Sequence, residues 1–430
     1  MKSLLTIILS IALFVNSNAQ VVANDSAETG QRASEMTFYS LKTGAKTVVS
    51  NTDWHLAITI RPTAFPNSPL GGTTIRINEP IGVKVYYVPN ANAAAFNTVD
   101  TTGYESWTKQ HDSDTLIDLG ALNSNRNLAN QFDFGWGIYN GSSHNVVGDS
   151  FYLIKLPNGE LKKFMVVNLD KDTAYNLKYS NIDNSDLQTI HISKKEHVGK
   201  EFMYLNLIDN MIHDKEPLSS DWDLQFLKYS ATDILQGQHV STVGVWLNKG
   251  TKAAKRSGYD VTDNNYSNLT FSNHLNAIGW DWKRLGSFQA LISGKNIEEM
   301  SEFYYTNDSL AYFVQTNGGE FYKVVFTRYN VGNGHISFYK EKLDATGINE
   351  AAAENSFHIF PNPANQILNV VLNSGPAIIR IIDISGRIIS EDTYSESITQ
   401  LNTSDFANGV YLMMVTSNGK TSASKFVVSR

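Results

Sequence analysis

The side chains able to do chemistry are few, and they sit among turn-forming residues. His111 lies in Gln110-His111-Asp112-Ser113-Asp114 and His144 in Gly141-Ser142-Ser143-His144-Asn145. His274 and Met300 add an imidazole and a thioether, donors that transition metals accept. Taken alone, each has a plain reading. The carboxylates of Asp112 and Asp114 favour a protonated, non-ligating His111. His144 sits among serines and asparagines as solvated loop residues do, and Met300, after Glu298-Glu299, suits ordinary packing. His55, beside Asp53-Trp54, reads as a strand residue turned outward, and Asp53 and Asp221 read as turn carboxylates ahead of a strand. Covalent and acid–base chemistry has less to stand on. The chain contains no G-x-S-x-G elbow, no H-E-x-x-H, no glycine-rich phosphate loop before a helix and no EF-hand spacing. The donors in Asp209-Asn210-Met211-Ile212-His213-Asp214 lack metal-ligand regularity. The expectation is a protein that binds, not an enzyme.

The elements that must position these residues are strands. Short apolar runs alternate with Asn, Gly and Ser turns, and 20 Tyr, 21 Phe and 7 Trp suit sheets whose aromatics pack across strands. The sequence therefore predicts an all-β, mostly antiparallel protein. Tyr86-Tyr87, Trp246, Trp280 and Trp282 could stack on sugar rings, although such side chains more commonly fill the space between sheets. The run from Lys249 to Arg256 is locally basic, which suits either an acidic ligand or a solvated loop. The absence of cysteine removes disulfides, thiolate metal sites, cysteine nucleophiles and cysteine-linked lipid anchoring. A formal net charge of −7 argues against nucleic acid as a partner. Lys2, the apolar run Leu4 to Val15 and the small residues before Gln20 describe a secretory signal peptide over 1–19, cut after Ala19. No later stretch reaches the ~20 apolar residues of a membrane-spanning helix.

The last residues, 356–430, read as a small immunoglobulin-like antiparallel β-sandwich. They carry, in order, Phe360-Pro361-Asn362-Pro363, then Asp383-Ile384-Ser385-Gly386-Arg387, then Gly409-Val410-Tyr411-Leu412, then a basic ending from Lys425 to Arg430. This ordered set resembles the type A C-terminal sorting domain of the type IX secretion system. The resemblance implies a protein exported across both membranes of a Bacteroidota-type bacterium to its outer surface or beyond, with the secretion machinery as a partner. The tail is an address, and function belongs upstream of it.

Upstream, the chain repeats itself. Tyr152 to Val166 and Tyr312 to Phe326 align without gaps at an offset of 160 residues, each a strand, an Asn/Gly turn and a second strand carrying a lysine (Lys163, Lys323). Asp53-Trp54-His55-Leu56 matches Asp221-Trp222-Asp223-Leu224, each after a candidate strand, Phe38 to Leu41 and Met203 to Leu207. Gly82-Val83 matches Gly244-Val245, Gly135-Trp136 matches Gly279-Trp280, and Tyr175 to Tyr179 and His335 to Tyr339 are closing strands. These landmarks predict two tandem modules, 30–190 and 191–343, followed by a small polar linker over 344–355.

This series resembles the HmuY family, in both copies. Known members are mostly-β bacterial haem-binding proteins that hold the iron between two axial side chains. The resemblance implies a secreted or cell-surface haem-acquisition protein that passes haem, or another tetrapyrrole, to an outer-membrane receptor. By position, it assigns His144 and His111 as axial ligands in the first module, and His274 and Met300 in the second. The alternative expectation is a surface adhesin or glycan-binding β protein without iron ligands.

Overall fold

The computed structural model describes residues 22–343 and 357–429, apart from 64–68, 91, 233–237, 259–260, 262, 286–303, 308, 361, 373–375, 384–385, 396–397 and 418–419. The expected signal peptide and linker, and Met300, lie outside the described residues. The chain divides into two compact units, one up to Asp344 and one from Ala345. Both are built of antiparallel strands, as the sequence predicts. No α-helix occurs among the described residues, and none of their helices is long and apolar enough to cross a membrane.

The first unit opens with β1 (Val22–Glu28), β2 (Glu35–Tyr39), β3 (Lys46–Ser50), β4 (Leu56–Thr59), β5 (Ile75–Ile77), β6 (Lys84–Tyr87) and β7 (Lys109–Gln110). It continues through β8 (Gly137–Asn140), β9 (Asn145–Gly148), β10 (Tyr152–Lys155), β11 (Leu161–Asp170) and β12 (Ala174–Asn181). The pattern then recurs: β13 (Gln188–Ser193), β14 (Phe202–Leu205), β15 (Ile212–His213), β16 (Leu224–Thr232), β17 (His239–Leu247) and β18 (Lys252–Ser257). β19 (Lys283–Leu285), β20 (Tyr304–Thr306), β21 (Leu310–Gln315), β22 (Phe321–Asn330) and β23 (His335–Leu343) complete it.

Local chemistry sets the hairpins. Gly159 and Gly319 adopt φ of 92° and 82°, the left-handed region a Cβ disfavours, and close the β10–β11 and β21–β22 turns. In each, the residue before the turn pairs with a glutamate, Leu156 with Glu160 and Thr316 with Glu320. β11 and β22 each carry an irregularity at the same place, between Val166 and Asn168 and between Phe326 and Arg328. The repeat is therefore physical as well as sequential.

The copies do not fold side by side. One large sheet runs β13-β12-β11-β10-β6-β7 and the other β1-β23-β22-β21-β18, while two four-stranded sheets run β15-β14-β4-β5 and β17-β16-β2-β3. Each copy thus lends its opening strands to the other. β14 of the second copy pairs with β4 of the first, Leu205 opposite Leu56. β2 of the first pairs with β16 of the second, Tyr39 opposite Leu224. β1 closes the second copy on β23, and β13 closes the first on β12. The sequence division at 190/191 cuts through β13, and β1 lies before residue 30, so two self-contained tandem modules are not what the cores form.

Side-chain alternation builds four layers from these sheets. Ile58 and Leu205 point to the first core, against Val85, Phe164 and Tyr179. Tyr39 and Phe226 point to the second, against Val324 and Phe338. Their strand neighbours Ala57, Tyr204, Phe38 and Tyr229 face the opposite way and meet Trp54 and Trp222 in a third core, where the two small sheets abut. That seam contains residues of both copies.

Two landmarks need reassignment. The counterpart of β6 in sheet position is β18, so the Gly82-Val83 and Gly244-Val245 strands are not equivalent: β17 occupies the place of β5. Trp136 is fully buried, and the second copy buries Trp282 instead, at 1% exposure, while Trp280 is 47% exposed. The insertion needed to align Gly279-Trp280 marks this shift. His55 is not turned outward: it is buried, and its Nδ1 accepts a hydrogen bond from the Leu207 N–H at 2.9 Å.

The second unit contains β24 (Phe357–Phe360), β25 (Ile367–Leu372), β26 (Ala377–Asp383), β27 (Ile388–Tyr394), β28 (Ile398–Asn402), β29 (Gly409–Ser417) and β30 (Lys420–Val428). Sheets β24-β25-β28 and β27-β26-β29-β30 enclose Leu368, Val370, Ile379, Met413 and Phe426, the small sandwich expected of the tail.

Candidate functional site

The seam brings together three residues that lie far apart in sequence. Glu79 stands in the short 3-10 turn Glu79–Ile81 after β5, where Pro80 fixes the backbone at the start of the turn. His111 follows β7, and His239 opens β17. His111 Nδ1 lies 2.6 Å from Glu79 Oε1. The rings of His111 and His239 stack at 3.7 Å between centroids and 5° between planes. One donor atom from each of the three residues falls within 4.8 Å of the others; Glu79 and His111 are half-buried, and His239 stands at the exposed start of β17.

The surroundings hold this group in place. Burial pushes the Glu79 carboxyl up, but the hydrogen bond and charge of His111, with Ser230 and Lys109 close by, outweigh it and leave the pKa below the usual value. Glu79 Oε2 is buried without a hydrogen bond of good geometry. The pKa of His239 is lowered, first by burial and then by the neighbouring His111. Behind His111, Asp112 has a side chain only 10% exposed and accepts the N–H groups of Ile77 at 3.0 Å and Ala121 at 2.7 Å. Burial raises its pKa to about 6, against the pull of Arg76 and those two hydrogen bonds. Arg76 donates to the carbonyls of Ser113, Leu116 and Ile117 and lies 5.1 Å from the Trp246 ring centre, fixing the loop after His111. A cavity of about 50 Å³ continues inward between Trp54, Trp222, Trp246, Tyr204 and Tyr229, room for water and not for a macrocycle.

The remaining expected donors are elsewhere. His144 sits in the exposed β8–β9 turn with φ of 60°, its Nδ1 2.8 Å from the Tyr139 hydroxyl. His111 and His144 therefore share no partner. His274 is exposed, its N–H held by Ser272 Oγ at 3.1 Å. Of the basic run, Lys255 pairs with Asp281, and Arg256 with Asp263 at 2.8 Å. Glu79 and His239 escaped sequence reading. Glu79 sits in an unremarkable Asn-Glu-Pro turn, and His239 belongs to the other copy, so no spacing connects them.

A second surface feature lies in the second copy. Trp280 lines an open pocket with Lys255, Asp281, Arg284 and Asn307. Lys283 lies beneath, its Nζ donating to Val243 O at 2.5 Å and standing 5.8 Å from the Trp280 ring centre. Burial lowers its pKa to about 7, partly opposed by Asp281. Of the aromatic residues considered for sugar stacking, Trp282 and Tyr86 are buried and Tyr87 and Trp246 half-buried, so Trp280 is the exposed one.

Residues 358–429 match the family model of the secretion system C-terminal sorting domain. With this tail, the protein is exported, to the cell surface or the medium, and the tail implies interaction with the type IX secretion machinery. No curated protein matches the chain. Among solved structures, the chain is similar to PorZ, an essential bacterial surface component of the type IX secretion system of Porphyromonas gingivalis, at 13% identity and a TM-score of 0.17. The match covers 68% of this chain and 44% of PorZ, so the chain spans less than half of that protein's length. A likeness this slight says nothing of the ligand.

Proposed function

We propose that the unit up to Asp344 is a non-catalytic binding protein of the cell surface, and that it recognises carbohydrate through a platform centred on Trp280. The observation that carries this reading is a tryptophan left 47% exposed, two residues before Trp282, which takes the buried place that Trp136 holds in the first copy. Burying an indole stabilises the fold, so leaving one in water costs free energy that a ligand stacked on it would recover. Lys255, Asp281, Arg284 and Asn307 around it offer the hydrogen-bond donors and acceptors that sugar hydroxyls require. Binding of the mature protein to purified bacterial surface polysaccharide, read by affinity electrophoresis, tests it. Trp280→Ala should weaken retention about tenfold or more, the worth of one stacked aromatic contact. Retention unchanged in that variant would remove the platform.

Haem acquisition is the second reading, with transfer to an outer-membrane receptor. It rests on the resemblance to the HmuY family, and His111, half-buried beside another imidazole, favours it. A haem titration read in the Soret region tests it. A saturable band lost in His111→Ala would support haem, and no band at micromolar haem would eliminate it.

A further inference from the structure

Glu79, His111 and His239 form a cluster that neither reading uses as a unit. We infer that these three residues are a binding site for a divalent transition-metal ion of the zinc class, which ties the two copies together across their seam. The inference is independent of the carbohydrate reading, because Trp280 belongs to a different surface.

The donor set is the first argument. Two imidazoles and one carboxylate are borderline nitrogen and hard oxygen donors, the set that zinc, nickel and cobalt accept, with coordination positions left for water. Their donor atoms already lie within 4.8 Å of one another, and each ends a side chain that can turn toward a shared ion. The carboxylate is the second argument. The Glu79 side chain is 7% exposed, and its Oε2 is buried with no hydrogen bond of good geometry, the Ser230 hydroxyl standing close by. Such an oxygen costs free energy unless something cationic or protic reaches it. Lys109 approaches Oε1 at 3.8 Å, but its own side chain is 37% exposed and free to swing into water. The third argument is the stack. Imidazole rings from the two copies lie 3.7 Å apart and 5° from parallel, close enough for ring rotation to turn one nitrogen of each toward a shared cation.

The placement gives the site a consequence. Glu79 and His111 come from the first copy, His239 from the second. A bound ion would therefore stabilise the native pairing of the copies over any opened form. Asp112 accepts the Ile77 N–H and Arg76 donates to the Ser113 carbonyl, which fixes the backbone next to His111 and ahead of Glu79.

The test uses the full mature chain, stripped with a chelator and titrated with zinc chloride by calorimetry. One equivalent should bind at micromolar affinity or tighter, and the melting temperature should rise by several degrees and return on adding EDTA. Cobalt in place of zinc should give visible absorption from nitrogen and oxygen ligation. His239→Ala and Glu79→Gln should each weaken binding about tenfold or more, with His239→Asn as the second variant should alanine disturb the fold. Lys109→Ala, which keeps all three donors and removes the competing ammonium, should bind as tightly or tighter. No heat and no change in melting temperature, or zinc binding that His239→Ala and Glu79→Gln leave intact, would overturn the site.

Discussion

His55 and Asp223 show how one position can be solved twice. Both receive a backbone N–H from the end of the exchanged strand of the other copy: Leu207 N–H to His55 Nδ1 at 2.9 Å, and Leu41 N–H to Asp223 Oδ2 at 2.8 Å. His55→Ala would leave the Leu207 N–H buried and unpaired, which should cost about 1–3 kcal/mol by urea denaturation. His55→Asn, whose Oδ1 can replace Nδ1, should recover much of that loss. Burial lowers the His55 pKa to about 4, slightly opposed by Asp209. The folded form thus binds fewer protons than the unfolded one between that value and the ordinary 6.5. His55 contributes its full stability above the ordinary value and loses it as pH falls toward 4. Glu216 works in the opposite direction. It is buried, its Oε2 accepts the N–H groups of Glu201 at 2.9 Å and Phe202 at 3.1 Å, and burial raises its pKa to about 7. Its contribution is whole below the ordinary 4.5 and is lost as pH rises through about 7. Glu216→Gln, which keeps the shape and cannot ionise, isolates this effect. The stability of the natural protein relative to that variant should fall as pH rises from about 4.5 to 7, and a flat difference would refute the assignment.

At the scale of elements, β1 is the strand whose role sequence distance hides. Its seven residues pair with β23 from Val22 opposite Glu341 to Glu28 opposite His335. Ala27 is fully buried in the second core, and the Asp25 carboxylate accepts the Tyr39 hydroxyl at 2.6 Å and pairs with Lys46 at 2.7 Å. Removing residues 22–28 would open the edge of a five-stranded sheet and expose a row of unpaired backbone groups. Amide exchange in β22 and β23 should accelerate by an order of magnitude or more, while β11 and β12, closed by β13, should keep their protection. Equal loss in both sandwiches would mean that β1 supports the whole unit.

For the whole first unit, exchange of opening strands makes each copy depend on the other. A break between Asn184 and Ser185, in the exposed turn joining β12 to β13, would leave the first fragment without the strands that complete its sheets. Each fragment expressed alone should fail to fold. Produced together, the fragments should reassemble into a complex that co-elutes on size exclusion, because all native pairings remain available between them. Two fragments that fold separately would show that the exchanged strands contribute little. The seam core of Phe38, Trp54, Tyr204, Trp222 and Tyr229 is the apolar surface that such a complex would bury.

What the sequence by itself determined was local. The period of apolar residues made the chain all-β, the glycines at 159 and 319 made the matched hairpins, and the ordered motifs from Phe360 onward marked the sorting tail. Each signal is carried within a few neighbouring residues, so no partner strand is needed to read it. Pairing was decided only in three dimensions. A strand edge presents the same N–H and C=O groups to any partner, so nothing in β4 announces that Leu56 will face Leu205 instead of a strand of its own copy. The same exchange carries His239 to Glu79 and His111. It also separates His111 from His144, which positions along the chain had joined. The cluster at the seam is a product of which copy lends which strand, and that depends on burying three cores at once.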